Sequence, residues 1–323
     1  MEGLYPAINP YNEGFMDTLD GHRIYFEQSG NPNGFPILYI HGGPGAPCSP
    51  ADKMFFNSKW RLITFDQRGC GNSIPSMSLE KNTTHDLLCD MFHLLRRLNI
   101  EKTVLFGGSW GSTLALLFAI HYPQMVSGLI LRGIFLGEKD ELDYLYNGEV
   151  KRFAPHHWER FIQNVPLDQR YRVLDFFYET MKNGAPQERR KLAFEMSRFE
   201  DALVSLEAKE SDKIDSETSN YSYEACGLLE AHYFVNNCFI KEGFILKNVH
   251  HIPKVPISIV QGRYDLVCPP NSAYRLFKAL SGADIPSDMY FVTAGHSKSD
   301  KEIMKKLISE TNKIHKLVSR QSI

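Results

Sequence analysis

Gly107-Gly108-Ser109-Trp110-Gly111 is a serine with glycines two residues to either side, set between a β-rich run at 104–107 and an apolar helical run at 113–121. A strand that turns directly into a helix around a serine must bend so tightly that side chains at the flanking positions collide. The serine is forced into a strained backbone with its hydroxyl exposed. Glycine at 107 and 111 removes the collision. With glycine at about 7% of residues, the bare pattern arises by chance roughly once in ten chains of this length, so its strand-turn-helix setting decides its meaning. A phosphate-binding or purely structural turn is the competing reading.

A serine hydroxyl is a poor nucleophile unless a base takes its proton, and the base needs a carboxylate to hold its tautomer. Both follow in the chain. The run 257–261 leads into Gly262-Arg263-Tyr264-Asp265, and the run 289–293 leads into Ala294-Gly295-His296. Active sites of parallel sheets lie beyond the carboxyl ends of the strands, so Asp265 and His296 fall where an acid and a base belong. The order serine, acid, histidine is that of the α/β-hydrolases. Upstream, His41-Gly42-Gly43-Pro44-Gly45 follows the run 37–41. A glycine loop there can turn backbone amides toward a developing oxyanion. The amides of Gly43, with Gly42 the neighbouring alternative, and of Trp110 take that role. Asp66 to Ser73 reads as an architectural turn in which Arg68 pairs structurally.

Short strands at 23–28, 37–41, 62–66, 104–107 and 129–132 alternate with helices at 84–98, capped by Asn82 or Thr83, and at 113–121. This predicts an α/β fold with a mostly parallel sheet and helices on both faces. From about Gly137 strand-like runs cease and helical spacing takes over, with 209–222 reading as a polar loop. The alternation returns at 257–261, then a helix at 271–280, a strand at 289–293 and a helix at 300–317. The expected organisation is a catalytic domain of residues 1–136 and 249–323 interrupted by a helical cap domain, 137–248.

A net charge of -2, with 36 basic and 38 acidic residues, leaves no footprint for a polyanion, so nucleic acid is not expected as a partner. The amino terminus lacks a basic start and an apolar stretch, and the longest apolar run, 114–120, is far too short to span ~30 Å of hydrocarbon. A cytoplasmic protein with reduced cysteines and no membrane contact is expected. No metal-ligand spacing occurs, and serine acyl transfer calls for no cofactor. Cys268, three residues past Asp265, is either a buried small hydrophobe or a thiol bordering the triad.

Six motifs resemble the proline iminopeptidases, serine peptidases of the α/β-hydrolase fold: His-Gly-Gly-Pro-Gly at 41–45, Asp-Gln-Arg-Gly-Cys-Gly at 66–71, Gly-Gly-Ser-Trp-Gly-Ser at 107–112, Arg-Gly-Ile-Phe at 132–135, Gly-Arg-Tyr-Asp at 262–265 and Ala-Gly-His-Ser at 294–297. The likeness is weaker between 138 and 222. The resemblance implies release of an amino-terminal proline from peptides whose free amine is bound by two cap glutamates. Glu230, in Leu-Glu-Ala-His-Tyr-Phe, carries over directly. Glu200 stands in Phe-Glu-Asp where the family has Trp-Glu-Gly, with Glu195 the fallback. Phe135 and Phe234 resemble residues that pack on the proline ring, a core role being the alternative. The competing function is a carboxylesterase-type hydrolase of small esters or amides, since fold alone does not set substrate.

Overall fold

The computed structural model describes residues 3–207, 209–219 and 222–320. Eight strands form one sheet: β1 (Pro10–Asp17), β2 (Arg23–Gly30), β3 (Pro36–Ile40), β4 (Arg61–Phe65), β5 (Thr103–Ser109), β6 (Val126–Ile134), β7 (Ile257–Gly262) and β8 (Ser287–Val292). Their order is β1-β2-β4-β3-β5-β6-β7-β8. β2 runs antiparallel to β1 and β4, and the remaining neighbours are parallel.

Helices follow as α1 (Pro50–Lys53), α2 (Thr84–Arg97), α3 (Trp110–His121), α4 (Lys139–Tyr146), α5 (Pro155–Ile162), α6 (Val173–Asn183), α7 (Pro186–Asp201), α8 (Ser211–Ser219), α9 (Tyr223–Val235), α10 (Phe244–Asn248), α11 (Pro270–Gly282) and α12 (Lys301–Arg320). Side chains alternate across a strand, so each parallel strand feeds two cores. Leu38 and Ile40 of β3 join Leu105 of β5 on the face of α2, α3 and α11. Ile37 and Tyr39 join Val104 and Phe106 on the face of α12. Burial on both faces is why these strands read as unbroken apolar runs.

Between β6 and β7 the chain is helical. Phe161 of α5 stacks on Phe177 of α6 and Phe199 of α7 at centroid separations of 4.6 and 4.4 Å. α9 lies on the loops at the carboxyl end of the sheet. A Cβ on Gly45 would come within 3.0 Å of Leu229, and one on Gly69 within 3.1 Å of the same side chain. Tyr233 donates to Asn82 Oδ1 at 2.7 Å, and His232 Nε2 meets the Asn82 carbonyl at 3.0 Å, tying α9 to the start of α2.

The strands and helices expected outside the insertion are present, with ends that differ from expectation by up to three residues. Three local expectations fail. β1 gave no signal because it is an antiparallel edge strand with only Met16 buried, interrupted in pattern by Pro10, Asn12 and Gly14. The stretch 209–222 is not a loop throughout, since α8 occupies Ser211–Ser219 and residues 220 and 221 lie outside the described residues. Tertiary bonds hold that polar helix: buried Arg198 pairs with Asp215, and Thr218 donates to Asp201 at 2.7 Å. Thr83 caps α2, whereas Asn82 spends its side chain on Arg68, Ser78 and Tyr233. Arg68 is structural, with a bidentate bond to Asp90 at 2.6 and 2.8 Å and a third to Asp20 at 2.7 Å. All six cysteines are unpaired. Among the described residues, no helix is long and apolar enough to cross a membrane.

Candidate active site

Ser109 ends β5 and stands before α3 with φ 56° and ψ -129°, a left-handed conformation that a side chain adopts only where the surroundings enforce it. The surroundings are backbone. A Cβ on Gly107 would lie 2.1 Å from the Gly111 carbonyl oxygen, and one on Gly111 would lie 2.2 Å from the carbonyl oxygen of Ile40. Both glycines are therefore required by sterics rather than by flexibility.

Asp265 follows β7 and His296 follows β8. His296 Nδ1 is 2.8 Å from Asp265 Oδ2. That oxygen also accepts Gln261 Nε2 at 3.1 Å, while Oδ1 accepts the amides of Val267 and Cys268 at 3.0 and 2.8 Å. Four hydrogen-bonding groups converge on a carboxylate that is 3% exposed, so both of its buried oxygens have partners. With Nδ1 committed to Asp265, the Nε2 of His296 is the nitrogen left to face the cavity it shares with Ser109. Cys268 is buried, donates its own amide to Asp265, and accepts Gln261 Nε2 at its carbonyl, so it borders the acid. Burial pushes its thiol well above the ordinary range.

The glycine loop after β3 comes beside the serine. A Cβ on Gly42 would touch Ser109 Cβ at 3.4 Å, which puts the peptide joining Gly42 to Gly43 next to Ser109. Gly43 has φ 102°, and a Cβ there would strike the nitrogens of Gly45 and Ala46 at 2.6 and 2.7 Å. A buried polar network fixes this loop to the elbow. His41 Nε2 accepts the Gln67 amide at 2.9 Å, Gln67 Nε2 donates to the His41 carbonyl at 2.9 Å, and Trp110 Nε1 donates to Gln67 Oε1 at 3.0 Å. Desolvation pushes His41 down and keeps it neutral, as an acceptor role at Nε2 demands.

A cavity of about 310 Å³ opens over these groups and is lined by Gly43, Ser109, His296, Glu200 and Asp201 among others. Glu200 and Asp201 end α7. Glu230, on α9, lies against Glu200 and is 1% exposed. Its Oε1 accepts Tyr146 Oη at 2.9 Å, and its Oε2 has no hydrogen-bond donor among the described residues. Desolvation, then repulsion from Glu200, pushes its carboxyl well above the usual carboxylate range. Phe234 packs edge-on to Phe135 at 5.7 Å and against Tyr146 at 5.8 Å, forming an aromatic wall beside that carboxyl group. Phe135 is held by the first turn of α3, its amide on Ser112 Oγ and its carbonyl on Thr113 Oγ1. Glu195 is not brought to the cavity. Arg160 grips it through bonds of 2.9 and 3.0 Å on another face of α7.

Several groups at the site carried no readable signal. Tyr146 sits in an ordinary helical stretch, and Asp201 shares its segment with a residue the resemblance singled out. Gln67 and Gln261 are buried amides at strand ends, and such residues at the carboxyl ends of parallel strands are the one hint the sequence offers.

Residues 36–300 match the family described as the alpha/beta hydrolase fold. The chain is 37% identical over 318 residues to a proline iminopeptidase of Arabidopsis thaliana, covering 98% of this chain and 83% of that one. It is 37% identical over 314 residues to a proline iminopeptidase of Neisseria meningitidis serogroup B, covering 96% and 98%. Among solved structures, an esterase from Exiguobacterium antarcticum superposes with a TM-score of 0.62 at 18% identity, covering 97% and 100% of the two chains. An α/β-fold hydrolase from Bacillus anthracis superposes at 0.63 and 16%, covering 94% and 100%. At those identities the superpositions speak to fold alone.

Proposed function

The chain belongs to the proline iminopeptidases of the α/β-hydrolase fold, and we propose that Ser109, His296 and Asp265 perform that family's reaction here, releasing proline from peptides that begin with it. His296 Nε2 takes the Ser109 proton as Oγ attacks the proline carbonyl, and returns it to the departing amine. Asp265 holds the imidazole tautomer and offsets the imidazolium charge. The amides of Gly43 and Trp110 receive the oxyanion. Water then attacks the prolyl ester by the same proton route in reverse.

The observation that carries the substrate reading is the buried Glu230 carboxyl, with one oxygen that has no donor among the described residues, close to a second carboxyl group, that of Glu200, in the cavity of Ser109. An unpartnered buried acceptor beside a like charge is unfavourable unless a ligand supplies the missing donors. A proline nitrogen in its protonated form brings one positive charge and two N–H groups, one for each of Glu200 and Glu230. The aromatic wall of Phe135, Tyr146 and Phe234 suits the ring carbons. An esterase of small acyl groups has no use for a buried carboxyl paired with a second one at the cavity wall.

The test compares proline p-nitroanilide with its N-acetyl derivative, which lacks the charge and both N–H groups. Cleavage of the free amine with a loss of at least about 100-fold on acetylation is expected from a buried charged contact. Equal rates on the two substrates would leave the carboxylates without a role and return the esterase reading. In parallel, Ser109→Ala should abolish turnover with the fold intact.

A further inference from the structure

The loop that carries His296, between β8 and α12, is held by the insertion. The amides of His296 and Ser297 both donate to the carbonyl of Val204, at 2.8 and 2.7 Å. Asp300 Oδ2 accepts the Gly295 amide at 2.6 Å and the Leu206 amide at 3.3 Å, joining two chain segments through one oxygen. The two backbones are in contact. A Cβ on Gly295 would stand 2.7 Å from Leu206 N and 2.9 Å from the Val204 carbonyl oxygen. Behind the loop, a Cβ on Gly262 would be 1.9 Å from the Gly295 oxygen, so the loop is wedged between the end of β7 and the stretch 204–206. That stretch starts four residues after Glu200, and the Leu203 amide closes back onto the Glu200 carbonyl at 2.8 Å.

We infer that Asp300 and the carbonyl of Val204 are positioning groups for His296, so that the segment bearing Glu200 also sets the general base. The inference rests on the reading of His296 as that base. Its physical content is that an imidazole between Asp265 and a serine must be placed within a fraction of an ångström, while its own backbone has no regular secondary structure to fix it. The amides that a strand or helix would have satisfied are taken by Val204 and by Asp300, the latter in charge-assisted bonds. One consequence is that the end of α7 cannot swing off the site without releasing the base.

The experiment measures Asp300→Ala, Asp300→Asn and Gly295→Ala on proline p-nitroanilide and p-nitrophenyl acetate, with active sites counted by an uncharged phosphonofluoridate that needs Ser109 and His296 but not the amine pocket. Asp300→Ala should lower kcat per titrated site about 10- to 100-fold on both substrates with KM within about threefold, and slow phosphonylation to match. Asp300→Asn keeps an acceptor oxygen and should stay within about fivefold of wild type. Gly295→Ala, which forces the two backbones apart without touching a charge, should reproduce the kcat loss. Wild-type turnover per titrated site in Asp300→Ala and Gly295→Ala would overturn the inference, as would an Asp300→Asn defect as deep as that of the alanine variant. His296→Ala is run alongside: activity there sinks the triad reading itself, whereas an inactive His296→Ala with a normal Asp300→Ala sinks only the positioning role.

Discussion

Replacing Glu230 by glutamine removes a charge while nearly keeping a shape, and the surroundings of this side chain allow the outcome to be worked out. Oε1 accepts Tyr146 Oη, which a glutamine carbonyl can also accept, so the tyrosine stays partnered. Oε2 has no donor among the described residues, and the side chain lies close to Glu200. The free protein thus exchanges a carboxyl that burial and Glu200 push well above its ordinary range for a neutral amide. The substrate ammonium, by contrast, loses one of its two carboxyl partners, a change of roughly 2 to 4 kcal/mol, or about 30- to 1,000-fold in kcat/KM. The stability sign follows from linkage. A carboxyl raised in the folded state favours folding below its unfolded pKa, and that contribution is lost as pH rises through the folded value. Glu230→Gln should therefore gain stability over wild type at pH 8 and little at pH 4. Paired assays on proline p-nitroanilide and p-nitrophenyl acetate, with melting points at both pH values, check this. A variant that loses both activities equally, or that melts lower at pH 8 than wild type, would refute the reasoning.

Gly111→Ala places a methyl group 2.2 Å from the Ile40 carbonyl oxygen, a backbone atom that cannot step aside; a destabilisation of at least about 3 kcal/mol in urea titrations is expected, and a midpoint like that of wild type would show the elbow to be laxer than its geometry. Cys268→Ala should keep most of its turnover yet resist a bulky mercurial that inhibits wild type by crowding Asp265, while unchanged inhibition would assign the effect to another thiol, Cys226 beside Glu230 being the next candidate. Desolvation pushes the Glu141 carboxyl up to about 7 despite bonds from Ser272 and the Leu136 and Glu138 amides. Stability present below its unfolded value near 4.5 is then lost as pH rises through 7, an effect of about 3 kcal/mol. Glu141→Gln should gain on wild type by up to that amount between pH 4 and 8, and parallel pH curves would exclude it.

What could be read from the chain was whatever local sterics and strand geometry force. The spacing of Gly107 and Gly111 around Ser109 is imposed by carbonyl oxygens about 2 Å from where their Cβ atoms would be, so it appears as a five-residue pattern. The meeting of Asp265 and His296 was legible because a parallel sheet brings together the residues just past its strand ends. Glu230 and Glu200 were legible only through a family resemblance. They lie on helices thirty residues apart in sequence, and nothing in the periodicity of either helix says that their carboxylates meet. Their meeting, the Tyr146 donor, the missing partner at Oε2 and the support of the His296 loop by Val204 and Asp300 are set by packing between distant segments. The polar stretch that forms α8 belongs with these: its own residues favour a loop, and an ion pair and a hydrogen bond to α7 hold it as a helix. Local steric constraints leave a signature in sequence, whereas a contact between remote segments exists only once the whole chain has chosen its packing.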